Sequence, residues 1–191
     1  MTATPLPTAP PDLAPEDLDR FYLGLAIEQA RIGWDEGGVP IGAALVHRGE
    51  VLAVGRNRRV QLGSPIRHGE TDCIDQAGRQ PASVYRASVL YTTLSPCFMC
   101  AGTALLYDIP RIVIGENRSF QASEELLRSK GVELTVVDDA ECIELMRRMM
   151  TERPEIWNED IGEELVSELA SSRMSTAAPR TRPTSVSEED S

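Results

Sequence analysis

The sequence predicts an α/β fold, in which three layers (α/β/α) are built around a central mixed sheet of five strands. A hairpin comes first, and short runs of β-branched and aliphatic residues then alternate with segments of helical periodicity. This alternation is typical of a mixed sheet covered by helices on both faces. The length of 191 residues fits one such domain with flanking tails, and it allows a core without disulfides.

The first half of the chain predicts a helix, the hairpin and a second helix. Apolar residues recur at helical spacing after residues 14–16, which form a typical helix start. Residues 41–46 and 51–54 are predicted strands, joined by the turn at 48–50. The next helix should occupy residues 68–78, since its final glycine can end a helix.

The second half alternates strands and helices. Its predicted elements are, in order, a strand at 88–94, a helix from Pro96 to about Tyr107, a strand at 111–115, a helix at 123–130, a strand at 132–137, a helix at 140–151 and a last helical piece after Pro154. Proline suits the first turn of a helix, and Gly131 should end the helix before it. These strands and the hairpin supply the five strands of the sheet.

The two ends of the chain differ in composition from the middle. Residues 1–13 are rich in Pro, Thr and Ala, and residues 171–191 are rich in Ser, Thr, Pro and Arg. Such segments bury too little apolar surface to offset the entropy of ordering them. We therefore expect a loose N-terminal tail, a folded domain over residues 14–170 and a disordered C-terminal tail.

The net charge and the lack of secretory or membrane-spanning features limit the classes of protein to which the sequence can belong. The formal net charge of -11 disfavours binding to nucleic acid and favours a small neutral substrate. Arg56, Arg58 and Arg59 form a local basic cluster, which we expect to be a solvated face. Residues 1–17 lack the features of a secretory signal, and no apolar run is long enough to span a bilayer. We expect a cytoplasmic protein without a membrane or nucleic-acid partner, whose cysteines stay reduced.

His68, Cys97 and Cys100 form the pattern of a metal site. Zinc readily takes imidazole nitrogen and thiolate sulfur as ligands. The two cysteines are three residues apart at a predicted helix start, so both sulfurs can reach one ion. The positive end of that helix favours the metal-binding thiolate form. We therefore expect one Zn²⁺ per chain, since these ligand types favour zinc over iron.

The other two cysteines bear on whether the predicted site is structural or catalytic. Cys73 lies five residues past His68 on the same predicted helix, about 140° around its axis, so it should point away. Cys142 falls on an apolar helix face and is expected to be an ordinary buried residue. Three ligands and one open coordination position favour a catalytic zinc over a structural zinc module that binds partners.

Glu70 lies two residues past His68, where its carboxylate could reach the open position without binding the metal. Zinc lowers the pKa of a coordinated water to about 7. Glu70 could accept that proton and deliver it to a leaving group. A carboxylate at a helix N-terminus can also simply balance the helix dipole. The neighbouring His/Cys/Cys group favours the catalytic interpretation.

The combination H-x-E followed by P-C-x-x-C is a known signature of zinc nucleobase deaminases. The sequence resembles the cytidine-deaminase superfamily, and within it the cytosine deaminases of the yeast type, from about Trp34 to Glu163. The residues that carry the resemblance are Gly37–Gly42, Asn57, His68-Gly69-Glu70, Leu90–Cys97, Ile109-Pro110-Arg111, Ile114–Asn117, Phe120, Glu152-Arg153-Pro154, Trp157 and Glu159–Glu163. His-Gly-Glu is discriminating, because guanine, tRNA-adenosine and riboflavin-pathway deaminases usually carry His-Ala-Glu there.

The resemblance implies a homodimeric hydrolase that converts cytosine, and 5-substituted cytosines, to uracil and ammonia in pyrimidine salvage. It implies that Glu70 carries protons from the attacking water to N3 and then to the leaving amino group. Asn57 and the backbone N–H of Gly69 would hydrogen-bond the base, and Asp160 would contact the amino group. The implied apolar walls of the site are Ile41, Leu94, Phe120 and Trp157.

Further expectations follow from the resemblance and from departures from it. The helix that carries Trp157 and Asp160 should act as a lid. Phe98 stands where the yeast-type enzymes carry aspartate, and we expect it to face a neighbouring helix or a subunit contact. Arg56 replaces a histidine. Because of these departures, a deaminase of another amino-heterocycle or nucleoside, such as guanine, cytidine or a cytosine analogue, is the alternative. A non-catalytic zinc-binding module is a more distant one.

Overall fold

The computed structural model describes residues 6–10 and 12–163, so the predicted tail at 171–191 lies outside the described residues. The helices are α1 Pro15–Asp35, α2 Arg59–Leu62, α3 Gly69–Ala77, α4 Ala82–Tyr85, α5 Phe98–Leu106, α6 Glu124–Ser129, α7 Ala140–Glu152 and α8 Pro154–Ile161. The strands are β1 Gly42–His47, β2 Glu50–Arg56, β3 Ser88–Leu94, β4 Arg111–Glu116 and β5 Glu133–Val136. None of the described helices is long and apolar enough to cross a membrane.

The five strands form one mixed sheet in the order β2-β1-β3-β4-β5. Strand β1 pairs antiparallel with both β2 and β3, whereas β3–β4 and β4–β5 are parallel. The predicted hairpin is the antiparallel edge, and the later strand–helix alternation gives the parallel half, since parallel neighbours need a crossover. The prediction of a mixed five-stranded sheet is confirmed.

Helices cover both faces of this sheet. Strand β1 shows why, because its residues alternate between two cores: Leu45 faces the cluster with α3, α5 and α6, and Ala44 faces the cluster with α1 and α7. Strands buried on both faces are nearly continuous apolar runs, and β1 is buried and free of charged or polar side chains until its last residue, His47. The predicted three-layer arrangement is therefore confirmed.

Some boundaries differ from the prediction. Helix α5 begins at Phe98 with Cys97 as its N-cap, so the predicted start at Pro96 is wrong by one half-turn. Helices α2 and α4 were not predicted, because four residues are too few to show a helical period. Ala9, within the predicted loose tail, packs against the cluster that contains α1.

Close contacts hold α3 in the position that the site needs. A Cβ added at Gly55 in β2 would lie 2.3 Å from the backbone nitrogen of Cys73, so only glycine permits this contact. A Cβ added at Gly69 would lie 3.0 Å from the carbonyl oxygen of Ile41. The N-terminus of α3 therefore packs directly against the start of β1.

Candidate active site

The three predicted metal ligands converge at two helix N-termini. His68 is the N-cap of α3 and Cys97 is the N-cap of α5, while Cys100 lies in the first turn of α5. Sγ of Cys97 is 3.5 Å from Nδ1 of His68 and 3.6 Å from Sγ of Cys100. In the described part of the chain, these residues form the one group of three or more metal-ligand side chains, with all ligand atoms within 4.8 Å of one another.

This donor set fits zinc. Tetrahedral zinc with Zn–S near 2.3 Å and Zn–N near 2.0–2.1 Å places two sulfurs about 3.8 Å apart and a sulfur and a nitrogen about 3.6 Å apart. The distances of 3.6 Å and 3.5 Å are within a few tenths of an ångström of these values. Soft thiolates with one imidazole also match zinc better than Mg²⁺ or Ca²⁺.

The two thiols titrate as an unequal pair. The hydrogen bond between Cys97 and Cys100, and then that with His68, lowers the pKa of Cys97 to about 4 despite burial. The same bond with Cys97, followed by burial, raises the pKa of Cys100 well above its ordinary value. Burial alone would lower the pKa of His68, but its contact with the Cys97 sulfur and nearby carboxylates raise it. Negative charge therefore accumulates on the sulfur of Cys97, and the thiolate is the form of cysteine that binds metal.

The fourth position is not filled by another cysteine of the described chain. The Cys73 thiol is buried in the α3 core and donates to the carbonyl oxygen of Ala53 at 3.4 Å. Cys142 is buried on α7 in the other core cluster. Both predictions about these cysteines are confirmed, since neither belongs to the metal-ligand group.

Glu70 lies in the first turn of α3, directly beside this group. Its carboxyl is buried and lines the cavity described below. Burial first, and then the negative charge at Cys97, raise its pKa to about 7. A carboxyl with a pKa near neutrality can accept and release a proton under physiological conditions.

A cavity of about 380 Å³ opens over the three metal-ligand side chains. Its lining includes eight of the predicted site residues, namely Ile41, His68, Glu70, Leu94, Cys97, Phe120, Trp157 and Asp160. The rings of Phe120 and Trp157 meet edge to face with centroids 5.9 Å apart. Apolar walls with a few buried polar groups suit a flat heterocycle.

Three predicted site residues do not line the cavity. Cys100 belongs to the metal-ligand group beneath it. Gly69 packs against Ile41. Asn57 is fully buried; its Nδ2 donates to Oδ1 of Asp160 at 2.8 Å, and its Oδ1 accepts from the backbone N–H of Arg59 at 3.1 Å.

The expectation of a solvated basic face is wrong. Arg56 donates to Glu36 and Arg58 to the buried Asp72. Arg59 is 11% exposed at its side chain, lines the cavity and donates to Asp160. Sequence reasoning missed Arg59 because its acidic partner lies 101 positions away on α8.

Of the two contacts expected for Phe98, burial against a neighbouring helix is not observed among the described residues, and a subunit contact stays a prediction. Phe98 is 64% exposed and lines the mouth of the cavity instead. It begins α5 one residue after Cys97, which places its ring beside the site. Ser95 and Met99, which sequence reasoning also did not single out, line the cavity as well. Met99 directly precedes Cys100, and Ser95 lies two residues before Cys97; this proximity is the signal that could have found them.

Comparison with known proteins agrees with this geometry. The sequence model of the family described as cytidine and deoxycytidylate deaminase zinc-binding region matches residues 16–116, which is more than half of the 191. The chain is 46% identical over 146 residues to the cytosine deaminase of Candida albicans, covering 76% of this chain and 97% of that protein. It is 38% identical over 98 residues to a tRNA-specific adenosine deaminase of Bacillus subtilis, covering 51% and 61%.

Solved structures share the fold. A tRNA:A34 deaminase that edits adenosine to inosine superposes with a TM-score of 0.58 at 27% identity, covering 66% of this chain and 99% of that one. A guanine deaminase from Nitrosomonas europaea superposes with a TM-score of 0.56 at 23% identity, covering 71% and 84%. The chain belongs to the cytidine and deoxycytidylate deaminase family. It is a zinc-dependent hydrolytic deaminase, with a His/Cys/Cys site for one zinc ion.

Proposed function

We propose that this enzyme hydrolyses cytosine to uracil and ammonia. The observation that carries the proposal is the placement of Glu70 beside the His/Cys/Cys group at the floor of one small, apolar-walled cavity. The 46% identity to the Candida albicans cytosine deaminase over 97% of that protein supports the choice of base. The cavity of about 380 Å³ has room for a single pyrimidine ring.

His68, Cys97 and Cys100 hold the zinc ion in this proposal. When bound, zinc lowers the pKa of water and supplies positive charge where negative charge develops during attack. The thiolates would be stabilised by the N-terminus of α5, since partial positive charge lies at that helix end. The three side chains approach from two different helices, so the folded core fixes their spacing.

Glu70 carries the protons of the reaction. Its carboxylate accepts a proton from the attacking water and transfers it to N3 of cytosine. After hydroxide adds to C4, Glu70 accepts the proton of the new C4 hydroxyl and delivers it to the amino group, so that the C4–N bond breaks as the C4 carbonyl of uracil forms. These steps balance, since one water is consumed and one ammonia is released. Burial holds Glu70 away from bulk solvent, which keeps its protons within the site.

The remaining predicted contacts orient the ring. Phe120 and Trp157 supply apolar walls at right angles to each other, with Ile41 and Leu94 completing the enclosure. Asp160 accepts a hydrogen bond from the amino group of the base. Asn57 and the backbone N–H of Gly69 hydrogen-bond the base in this proposal, and Nδ2 of Asn57 carries a second hydrogen besides the one given to Asp160.

The Glu70→Gln variant tests the proposal. It should keep one zinc per chain, because Glu70 is not among the metal ligands, and should lose ammonia release from cytosine by several orders of magnitude. Atomic absorption and an ammonia assay measure the two quantities. Undiminished turnover by this variant would remove Glu70 from the reaction.

A deaminase of another amino-heterocycle is the alternative function. Guanine is the purine to be tested, because a solved structure of the same fold is a guanine deaminase. Ammonia release from cytosine, 5-methylcytosine, cytidine, guanine and adenine under identical conditions separates these substrates. Faster release from cytidine than from cytosine would replace the free base by the nucleoside.

A homodimer in the cytoplasm, acting in pyrimidine salvage, completes the proposal. Helix α5 exposes Phe98 and Leu106, which are 64% and 74% exposed. Tyr107, which follows Leu106 in the chain, is 37% exposed, and exposed apolar side chains of this kind favour contact with a second copy. Light scattering on the purified enzyme, with Leu106→Glu as the variant, should show a dimer for the natural sequence and a monomer for the variant.

A further inference from the structure

Arg59 joins the cavity to the last described helix. Its Nη1 donates to Oδ1 of Asp160 at 3.0 Å and to the carbonyl oxygen of Glu159 at 3.2 Å. Its Nη2 donates to Oε1 of Glu159 at 2.7 Å. Within residues 6–10 and 12–163, Arg59 is the one arginine or lysine that lines the cavity. The guanidinium of Arg59 therefore binds two consecutive acidic residues of α8, Glu159 and Asp160.

The pairing fixes one particular oxygen of Asp160. Oδ1 accepts from both Nδ2 of Asn57 and Nη1 of Arg59, whereas no described residue donates to Oδ2. The Asp160 side chain is only 3% exposed and lines the cavity. Two donors on one oxygen fix the rotation of the carboxylate, so the other oxygen keeps its hydrogen-bonding capacity for a group in the cavity.

Arg59 itself is held with little freedom. Its backbone N–H donates to Oδ1 of Asn57, so Asn57 contacts both Arg59 and Asp160. The side chain is 11% exposed and its Nε has no partner among the described residues. A buried guanidinium with an unpartnered N–H costs free energy, and a structural role alone is a weak reason to keep it. The arrangement is better explained by what Arg59 does to Asp160.

We infer that Arg59 is a positioning residue that sets Asp160 as a charged acceptor for the exocyclic amino group of the substrate. The inference rests on the proposed function, in which that group is the one that leaves. An amino group donates to the available oxygen of Asp160. The oxo group of the product places two acceptors against each other, which is unfavourable. Arg59 thereby favours amino-substituted rings over their oxo products and assists release of the product.

The test compares two ligands that differ by the amino group alone. In Arg59→Ala, kcat/KM for cytosine should fall by about 10- to 100-fold, the range for loss of a charge-assisted hydrogen bond. The inhibition constant of 2-pyrimidinone, the same ring without the amino group, should change by less than about 2-fold, since a hydrogen bond that is never made cannot be lost. Zinc content should stay at one per chain. Equal losses for both ligands, or unchanged kcat/KM, would overturn the inference.

Rescue and control variants separate positioning from general damage. Arg59→Lys keeps the charge but can hold only one carboxylate, so it should retain an intermediate kcat/KM. Added guanidinium at millimolar concentration should raise the activity of Arg59→Ala and leave the natural enzyme unchanged. Arg86→Ala is the matched control: it removes an equally sized cation that pairs with Asp108 on the surface, outside the cavity. Rescue of the control by guanidinium, or no rescue of Arg59→Ala, counts against the inference.

A substrate-free measurement keeps the inference distinct from the proposed function. If the natural enzyme releases no ammonia from cytosine, the proposed function fails. Urea unfolding of the Arg59→Ala, Asp160→Asn and doubly substituted proteins still measures the coupling of the two side chains. Coupling well above the error of the measurement supports the positioning of Asp160, and additive effects overturn it. Should Arg59→Ala fail to fold, Arg59→Lys replaces it in both experiments.

Discussion

Sγ of Cys97 lies 3.5 Å from Nδ1 of His68, although 29 residues separate them in the chain. Each residue is the N-cap of a helix, α3 for His68 and α5 for Cys97. Two helix N-termini thus point to one place, and their partial positive charges favour the thiolates there. The metal-ligand spacing therefore depends on how α3 and α5 pack against the sheet. Zinc affinity measures changes in this site, and the free energy of unfolding measures changes in the core.

The affinity for zinc is expected to depend on Cys100 and not on Cys73. Cys100→Ser should weaken zinc binding by more than the about 10- to 100-fold that the loss of an outer-shell partner costs. Cys73→Ala is the control, because its thiol is buried in the α3 core on the other side of that helix. Zinc titration against a competing chelator measures both affinities. A similar loss in the two variants would contradict the assigned ligand set.

Trp157→Ala should raise KM for the substrate by about tenfold or more, because the variant removes a wall that covers one side of the ring. The same change should lower the free energy of unfolding by about 3–5 kcal/mol, since Trp157 belongs to a buried cluster with Met146 and Met149. Trp157→Phe keeps an aromatic wall and should show a smaller rise in KM. Steady-state kinetics with zinc-loaded protein checks this, and equal KM values for both variants would argue against a wall at this position.

Arg153 is expected to hold the corner between α7 and α8. Its guanidinium lies 3.8 Å from the centroid of the Trp34 ring, and its Nη1 donates to the carbonyl oxygens of Trp34 at 3.1 Å and Gly38 at 3.3 Å. Arg153→Lys loses the planar stacking, so the free energy of unfolding should fall by about 1–2 kcal/mol. Hydrogen exchange in α8 should become faster. Unchanged exchange there would mean that other contacts hold the helix.

Glu124 should make stability depend on pH in the acid range. Burial tends to raise the pKa of its carboxyl, but hydrogen bonds from Arg128, Asn117 and Ser95 outweigh burial and hold the pKa below its ordinary value. A lowered folded-state pKa contributes stability that is complete above the unfolded pKa and is lost as the pH falls through the folded one. Urea unfolding from neutral pH to about pH 3 should therefore show a steeper loss for the natural protein than for Glu124→Gln. Parallel curves would contradict this.

The fold was largely predictable because its determinants are local. Hydrophobic periodicity located every strand of the described sheet, and the glycine at position 78 marked the end of α3. The metal group was predictable because two of its three ligands share one helix turn and because H-x-E and C-x-x-C are short patterns. Their convergence in space is a property of the sheet, yet the pattern of residue types was enough to anticipate it.

The ion pairs of the site could not be predicted in the same way. Arg59 and Asp160 are 101 positions apart, and nothing in the local sequence of either residue indicates the other. Position 57 is similar: the surrounding Gly-Arg-Asn-Arg indicates a turn, whereas the structure buries the Asn57 amide against α8. Contacts that depend on where the last helix folds back onto the chain have no local signal.

Helix α8 contributes Trp157 and Asp160, and it is the last element that the structure describes. The metal ligands and Glu70 all precede it by more than fifty positions in the sequence. Helix α8 thus adds one wall, Trp157, and one acceptor, Asp160, to a cavity whose other walls, Ile41, Leu94 and Phe120, come earlier in the chain. A protein shortened to end before Pro154 should keep its metal-ligand residues while losing Trp157 and Asp160, so it is expected to bind zinc without turning over the base.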